Sequence, residues 1–170
     1  MSGSFEKRKE ICENLKKIIG LDFTPRWQTV KQLHLLIKFL ENCQNQVVIK
    51  SLGELEDEIK PSNFREFEFA LYMLARHDFI EVSVPRSVVM KPRSVLKGNR
   101  WKPIRQKLSE SGRTQKSAGE ILLYYLQATR KDTLRIRRRE DVKNLLIFQI
   151  SPKKLHALRE ALGILEREFK

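Results

Sequence analysis

Apolar residues recur at helical spacing through most of the first half of the chain. Residues 5–19 and 25–42 each repeat apolar side chains every three or four positions, which is the spacing of one helix face. Shorter stretches with the same spacing follow at 52–59 and 64–76. The pattern therefore predicts four helices before the chain reaches its midpoint.

Polar residues mark where several helices are expected to begin. Ser51–Glu54 and Ser117–Glu120 each fit a capping box, in which the side chains of the first and last residue bond each other's backbone N–H groups. Asn63 or Ser62 can cap the longer helix after the turn, and Thr24 can cap the second helix. These signals agree with the helix starts that the periodicity predicts.

Two runs in the first half predict β-structure. Residues 46–50 form a short strand-like run, and Ile80–Val84 alternates apolar and polar side chains as a half-buried strand does. Ser87–Met90 can pair back on that strand, and Pro92 ends the pairing because proline lacks the N–H group. A small β hairpin is therefore expected after the fourth helix.

The second half of the chain begins with a stretch that has no sustained periodicity. Proline and glycine punctuate residues 91–116, which predicts a long basic loop with a short helix at 102–110. The later elements expected are a helix from 117 to about Arg130, a strand at 133–137, a helix at 140–149 and a last helix from Ser151 to about Phe169.

The element order over residues 25–91 resembles that of a winged helix-turn-helix domain. The positions that carry the resemblance are apolar helix residues and the intervening turns: Leu33, Leu36, Leu40, Leu55, Ile59, Pro61–Asn63, Phe67, Leu71, Leu74 and His77–Ile80. The expected fold class is mainly α with a small β hairpin (α+β), with a winged-helix core, a basic loop and a C-terminal helical subdomain. The expected boundaries are 1–24 for an N-terminal helix, 25–91 for the winged helix, 92–116 for the basic loop and 117–170 for the C-terminal helical region.

The resemblance implies that the third helix of this domain lies in the major groove of DNA. Asn63 and Arg65 are the outward residues suited to base edges. Glu66 and Glu68 are expected to face outward too, beside Tyr72, and their carboxylates would be repelled by phosphates. The opposing interpretation is a winged helix that binds a protein partner.

The positive charge of the chain is concentrated in its middle third. The net charge is +13, and residues 85–139 alone carry 16 basic and 3 acidic side chains. A block of one sign creates a local field that attracts a polyanion, and such clustering is typical of nucleic-acid-binding proteins. The alternative is a flexible basic loop that only keeps the protein soluble.

Two basic clusters supply most of the candidate contacts, one through residues 91–107 and one at 135–139. Trp101 stands within the first cluster, where its ring can stack on an unpaired base or pack on the core as an anchor. The arginine run of the second cluster is also typical of a nuclear-import signal. The candidate nucleic-acid-binding residues are Asn63, Arg65, Arg86, Lys91, Arg93, Lys97, Arg100, Trp101, Lys102, Arg105, Lys107, Arg135, Arg137, Arg138 and Arg139.

No sequence pattern for catalysis or metal binding stands out. The three histidines are scattered, and Cys12 and Cys43 have neither a disulfide framework nor metal-ligand spacing. The acidic run at 54–58 leaves a small nuclease as the third hypothesis, although the capping box favours an ordinary charged helix. We therefore expect no enzyme, no cofactor and no metal.

The last predicted helix carries apolar residues at heptad spacing, namely Leu155, Leu158, Leu162, Leu165 and Phe169. Packing of this helix on its own domain is favoured, because two heptads are short for a coiled coil. The alternative is a homodimer through the four leucines. No apolar run predicts a membrane span, and the start has no apolar signal core. An intracellular location is expected, in the cytoplasm or nucleoid, or in the nucleus, depending on the organism.

The sequence as a whole favours a non-enzymatic nucleic-acid-binding protein that acts in transcription, replication or a related DNA transaction. Duplex DNA is favoured over RNA as its partner. The second hypothesis is an adaptor, whose winged helix binds a protein while its basic region docks the assembly on DNA or RNA.

Overall fold

The computed structural model describes residues 2–44, 46–110, 114–128 and 143–163. It is mainly helical, at 66%, with a small three-stranded antiparallel sheet, so the α+β class predicted from the sequence is confirmed. In chain order the elements are α1 (Ser2–Ile19), α2 (Trp27–Asn42), β1 (Val48–Ser51), α3 (Leu52–Ile59), α4 (Phe64–Arg76), β2 (Glu81–Ser83), α5 (Arg86–Met90), α6 (Pro92–Val95), a 3₁₀ helix (Asn99–Trp101), α7 (Lys102–Glu110), α8 (Gln115–Ala128), β3 (Ile147–Ile150) and α9 (His156–Ala161). Among the described residues, no helix has the length and apolar character needed to cross a membrane.

The chain divides into two compact units, each assembled from stretches that are separate in sequence. Unit 1 comprises residues 1–48, 59–80 and 150–170, and unit 2 comprises residues 49–58 and 81–149. Unit 1 therefore holds helices α1, α2, α4 and α9, whereas unit 2 holds the sheet together with α3 and helices α5 to α8.

Unit 1 is a helical assembly around an apolar core. Helix α2 packs against α4, and α1 packs against both α2 and α9. The apolar faces predicted for α1, α2 and α4 form this core, whose fully buried side chains include Ile11, Leu15, Leu33, Leu40, Phe67, Leu71 and Leu158. Helix α2 begins two residues later than predicted, after Arg26, and no side chain caps its start.

Two of the predicted helix caps are confirmed. Asn63 precedes α4, and its Oδ1 accepts a hydrogen bond of 3.1 Å from the Glu66 N–H. Ser51 and Glu54 form the predicted capping box: the Ser51 N–H donates to Glu54 Oε1 at 3.1 Å, and the Glu54 N–H donates to Ser51 Oγ at 3.2 Å. The hydrogen bond from the Ser51 backbone lowers the pKa of the Glu54 carboxyl.

The second predicted capping box is displaced by three residues. Helix α8 begins at Gln115, and the reciprocal pair at its start is Thr114 with Ser117. The Thr114 N–H donates to Ser117 Oγ at 3.0 Å, and the Ser117 N–H donates to Thr114 Oγ1 at 2.9 Å. Two hydroxyl side chains thus make the bonds that the sequence assigned to Ser117 and Glu120.

The sheet of unit 2 has the strand order β1-β3-β2, and β2 pairs with β3 in antiparallel register, with Val82 opposite Phe148. The predicted strand at 87–90 is wrong, because these residues form helix α5, which buries Val88 and exposes Met90. The partner of β2 comes instead from residues 147–150, so the helix predicted at 140–149 is also wrong from residue 144, where the chain turns before it enters β3. Residues 140–142 lie outside the described residues.

The predicted basic loop is largely helical in the described residues. Helix α7 confirms the short helix predicted at 102–110, but α6 and the 3₁₀ helix precede it where a loop was expected. The strand predicted at 133–137 lies outside the described residues.

The C-terminal leucines are buried inside unit 1. Leu155 and Leu158 are fully buried and Leu162 is 3% exposed, so these three pack on their own domain as the favoured interpretation had it. Helix α9 is only six residues long. Leu165 and Phe169, the remaining positions of the heptad pattern, lie outside the described residues.

Helix α8 approaches strand β2 so closely that Gly119 has no room for a side chain. A Cβ atom there would lie 2.8 Å from Ser83 Cα and 2.9 Å from Ser83 N, and backbone cannot move aside cheaply. We expect Gly119→Ala to lower the free energy of unfolding by about 1–3 kcal/mol, the usual cost of overpacking.

Urea denaturation followed by circular dichroism measures this cost, and Gly53→Ala in α3 is the matched control. The nearest atom to a Cβ at Gly53 is the Oδ1 of Asn144, at the end of a flexible side chain. Gly53→Ala should therefore leave stability unchanged or raise it. Equal stability of the two variants would contradict the close approach of α8 to β2.

Candidate nucleic-acid interface

Residues 86–110, here called the basic segment, carry eight basic side chains and one acidic side chain. Its helices pack in succession, α5 on α6, α6 on α7 and α7 on α8, all within unit 2. The apolar positions Val88, Leu96, Ile104 and Leu108 are buried. Because the apolar face is turned inward, the cations on the opposite positions are exposed: Arg86, Lys91, Arg93, Lys97, Lys102 and Lys107.

Trp101 is part of the core of unit 2 and is not available to stack on a base. Only 2% of its surface is exposed, and its ring lies against Tyr125 with the centroids 5.8 Å apart and the planes tilted by 48°. The anchoring interpretation of this residue therefore holds, and Trp101 is withdrawn from the candidate contacts. Its indole is buried because exposing so large an apolar surface to water is unfavourable.

Arg105 is also used inside the protein. Its Nη1 donates to the carbonyl oxygens of Leu96 at 2.6 Å and Gly98 at 2.8 Å, so the guanidinium fixes the turn between α6 and the 3₁₀ helix. Gly98 has a φ of +95°, a conformation that favours glycine. Arg105 thus positions its exposed neighbours, and is a weaker candidate for a phosphate contact than they are.

Some candidate residues lie outside what the structure describes. These are Arg135, Arg137, Arg138 and Arg139, together with the side chain of Arg100.

The start of helix α4 exposes Arg65, whereas Asn63 is engaged as the helix cap. The outward placement predicted for the two glutamates of this helix is wrong. Glu66 is 5% exposed and Glu68 is fully buried, so neither carboxylate can oppose a phosphate on the surface. The sequence pattern missed this because buried carboxylates occur only where tertiary partners hold them.

The partners of Glu66 come from the start of α2. Thr29 Oγ1 donates to Glu66 Oε2 at 2.7 Å, and Arg26 Nη1 lies 3.3 Å from Glu66 Oε1. Together with the cap at Asn63, these bonds join the first turns of α2 and α4 inside unit 1. Glu66 is therefore a structural residue and not part of a surface for a partner.

Two residues that the sequence reasoning passed over, Phe69 and Arg76, lie on the exposed side of α4. They follow Arg65 by four and eleven positions, so the three share one helix face. Helical spacing places these two residues on one face with Arg65. The sequence did not show that this face is the exposed one, because Glu66 and Glu68 were expected to face outward.

The acidic run at 54–58 has structural roles in unit 2. Glu54 caps α3, Glu58 pairs with Lys50 at 3.1 Å, and the buried Glu56 pairs with Lys143 at 2.8 Å. Within the described ranges, no group of three or more histidine, cysteine or acidic side chains is arranged to hold a metal ion.

Comparison with protein-family models, with curated proteins and with solved structures finds no match. A function is therefore inferred from the positions and charges of the chain's own residues.

Proposed function

We propose that this protein is a non-enzymatic nucleic-acid-binding protein whose basic segment contacts the phosphate backbone, with duplex DNA as its favoured partner. The observation that carries the proposal is the set of six exposed cations that residues 86–110 carry on packed helices and on the short connections between them, where Glu110 is the one acidic residue. Neutralising a phosphate with each cation releases counterions, which is the main source of affinity in such complexes.

The packing of the basic segment favours binding as well as folding. Trp101 is buried against Tyr125, and Arg105 holds two carbonyl groups of the turn. Cations on packed helices and on the short connections between them lose less conformational freedom on binding than cations on a flexible loop. The two arginines can each bond two phosphate oxygens, whereas the four lysines act as point charges.

The order of the elements supports a resemblance to winged helix-turn-helix domains, with an enlarged wing as the one difference. The order α2, β1, α3, α4, β2 is the order that suggested the resemblance, and β3 supplies the antiparallel partner that a hairpin would give β2. The basic segment lies between β2 and β3 in the chain, where a wing would connect them. In this proposal an enlarged, helical wing makes the phosphate contacts.

A salt titration of the full chain with duplex DNA tests the proposal. If the six exposed cations each neutralise one phosphate, the slope of log affinity against log salt is about −5. Fluorescence anisotropy with a labelled duplex measures it, and single-stranded DNA and duplex RNA of equal length show which partner is preferred. Absence of binding at low salt, or an affinity that does not change with salt, would refute the proposal.

A further inference from the structure

The exposed side of helix α4 carries a stripe of two cations and two aromatic rings. Arg65, Phe69, Tyr72 and Arg76 are spaced by four, three and four residues, which places them on one helix face. Arg65 and Arg76 are exposed, and Phe69 and Tyr72 are mostly buried with a smaller part of each side chain exposed. We call these four residues the α4 stripe.

The charge of the α4 stripe is positive, with no exposed carboxylate from its own helix. The acidic residues of α4, Glu66 and Glu68, are 5% and 0% exposed. Arg76 Nη1 donates to the Tyr72 hydroxyl at 3.4 Å, which keeps the cation beside the ring. The two arginines are eleven positions apart in the helix, so their Cα atoms lie about 16 Å apart along its axis.

A further aromatic residue extends this apolar surface. Phe23 is 49% exposed, and its ring lies 6.0 Å from that of Phe69 with a tilt of 46°. Contiguous apolar surface that stays exposed is unfavourable in water and is typical of surfaces that bind a partner.

We infer that the α4 stripe binds single-stranded nucleic acid, with unpaired bases stacked on Phe69 and Tyr72 and phosphates held by Arg65 and Arg76. Aromatic rings between cations are the arrangement that single-strand binders use, because every base has a face that can stack and every linkage has a charge. Bases inside a duplex are already stacked on each other and cannot use these rings. The inference extends the proposed function with a second ligand class, held by unit 1 and not by the basic segment.

Binding of the full chain to a labelled oligothymidylate of about 12 nucleotides tests the inference. An oligomer of the same length without bases, and a duplex, are measured beside it. The double variant Phe69→Leu with Tyr72→Leu keeps apolar side chains but removes stacking. We expect it to weaken oligothymidylate binding at least about fivefold, the low end for one stacked base, and to leave the other two ligands unaffected.

Matched variants separate stacking, charge and folding. Tyr72→Phe keeps the ring and removes only the hydroxyl that accepts from Arg76, so it should retain most of the oligothymidylate affinity that the leucine variant loses. Arg65→Gln with Arg76→Gln should weaken both oligomers, whereas Lys9→Gln with Lys17→Gln, on exposed positions of α1, should weaken them much less. An unchanged thermal unfolding temperature shows that a variant is folded. If the leucine variant is unstable, the double arginine variant still tests whether the α4 stripe binds the oligomer.

Two outcomes would overturn the inference. The first is that the chain does not bind oligothymidylate. The second is that the leucine variant loses as much affinity for the base-free oligomer as for oligothymidylate. Neither outcome affects the proposed duplex binding by the basic segment. Conversely, if the chain binds oligothymidylate through these rings but does not bind duplex DNA, the inference stands and the proposed function is refuted.

Discussion

Duplex affinity should fall at least about a hundredfold at 0.1 M salt when the six exposed cations of the basic segment are replaced by glutamine. The variant combines changes on α5, α6 and α7 and in the two connections that flank α6, at Arg86, Lys91, Arg93, Lys97, Lys102 and Lys107. Each lost cation removes one source of counterion release, so the salt slope should become shallower by about one for each contact. Fluorescence anisotropy at several salt concentrations measures both quantities.

A control with the same loss of charge distinguishes a local interface from general attraction to a basic protein. Six exposed lysines of unit 1 serve this purpose, and they are Lys7, Lys9, Lys17, Lys38, Lys153 and Lys154. Their replacement by glutamine lowers the net charge by the same amount but leaves the basic segment intact. We expect this control to bind duplex DNA within a few-fold of the unchanged chain. Equal losses in both variants would mean that total charge, and not the basic segment, causes the binding.

Features that depend on neighbours in sequence could be predicted from sequence alone. The capping box at Ser51 and the cap at Asn63 are examples, because the groups that bond lie three residues apart. The helices of unit 1 follow from apolar spacing for the same reason. The pairing of β2 was missed because its partner, Ile147–Ile150, is remote in the chain and Ser87–Met90 was the nearer strand-like run.

The candidate site shows a similar division between local and tertiary causes. The concentration of cations in residues 85–139 is a property of the sequence and was read from it directly. The burial of Trp101, Glu66 and Glu68 depends on which helices pack together, and a charged or aromatic residue carries no local signal of that. Arg105 was indistinguishable from its exposed neighbours until Leu96 and Gly98 were placed beside its guanidinium.

Trp101 and Lys102 are adjacent in sequence, yet they should respond to substitution in opposite ways. Trp101 is 2% exposed, so Trp101→Ala should lower the free energy of unfolding by about 3–5 kcal/mol through the cavity that it leaves. Lys102 is exposed at the start of α7, and Lys102→Ala should change stability by no more than about 0.5 kcal/mol. Urea denaturation followed by circular dichroism gives both values.

Binding measurements complete the comparison between these two neighbours. Trp101→Phe keeps a ring in the core, so the folded variant should bind duplex DNA and oligothymidylate with unchanged affinity. Lys102→Ala should weaken duplex binding several-fold and reduce the salt slope by about one, because one phosphate contact is lost. A tenfold loss of oligothymidylate binding in the folded Trp101→Phe variant would place the indole at the ligand and contradict its burial. If Lys102→Ala leaves duplex affinity unchanged, this lysine does not contact phosphate, and the interface then lies on the other exposed cations of the basic segment.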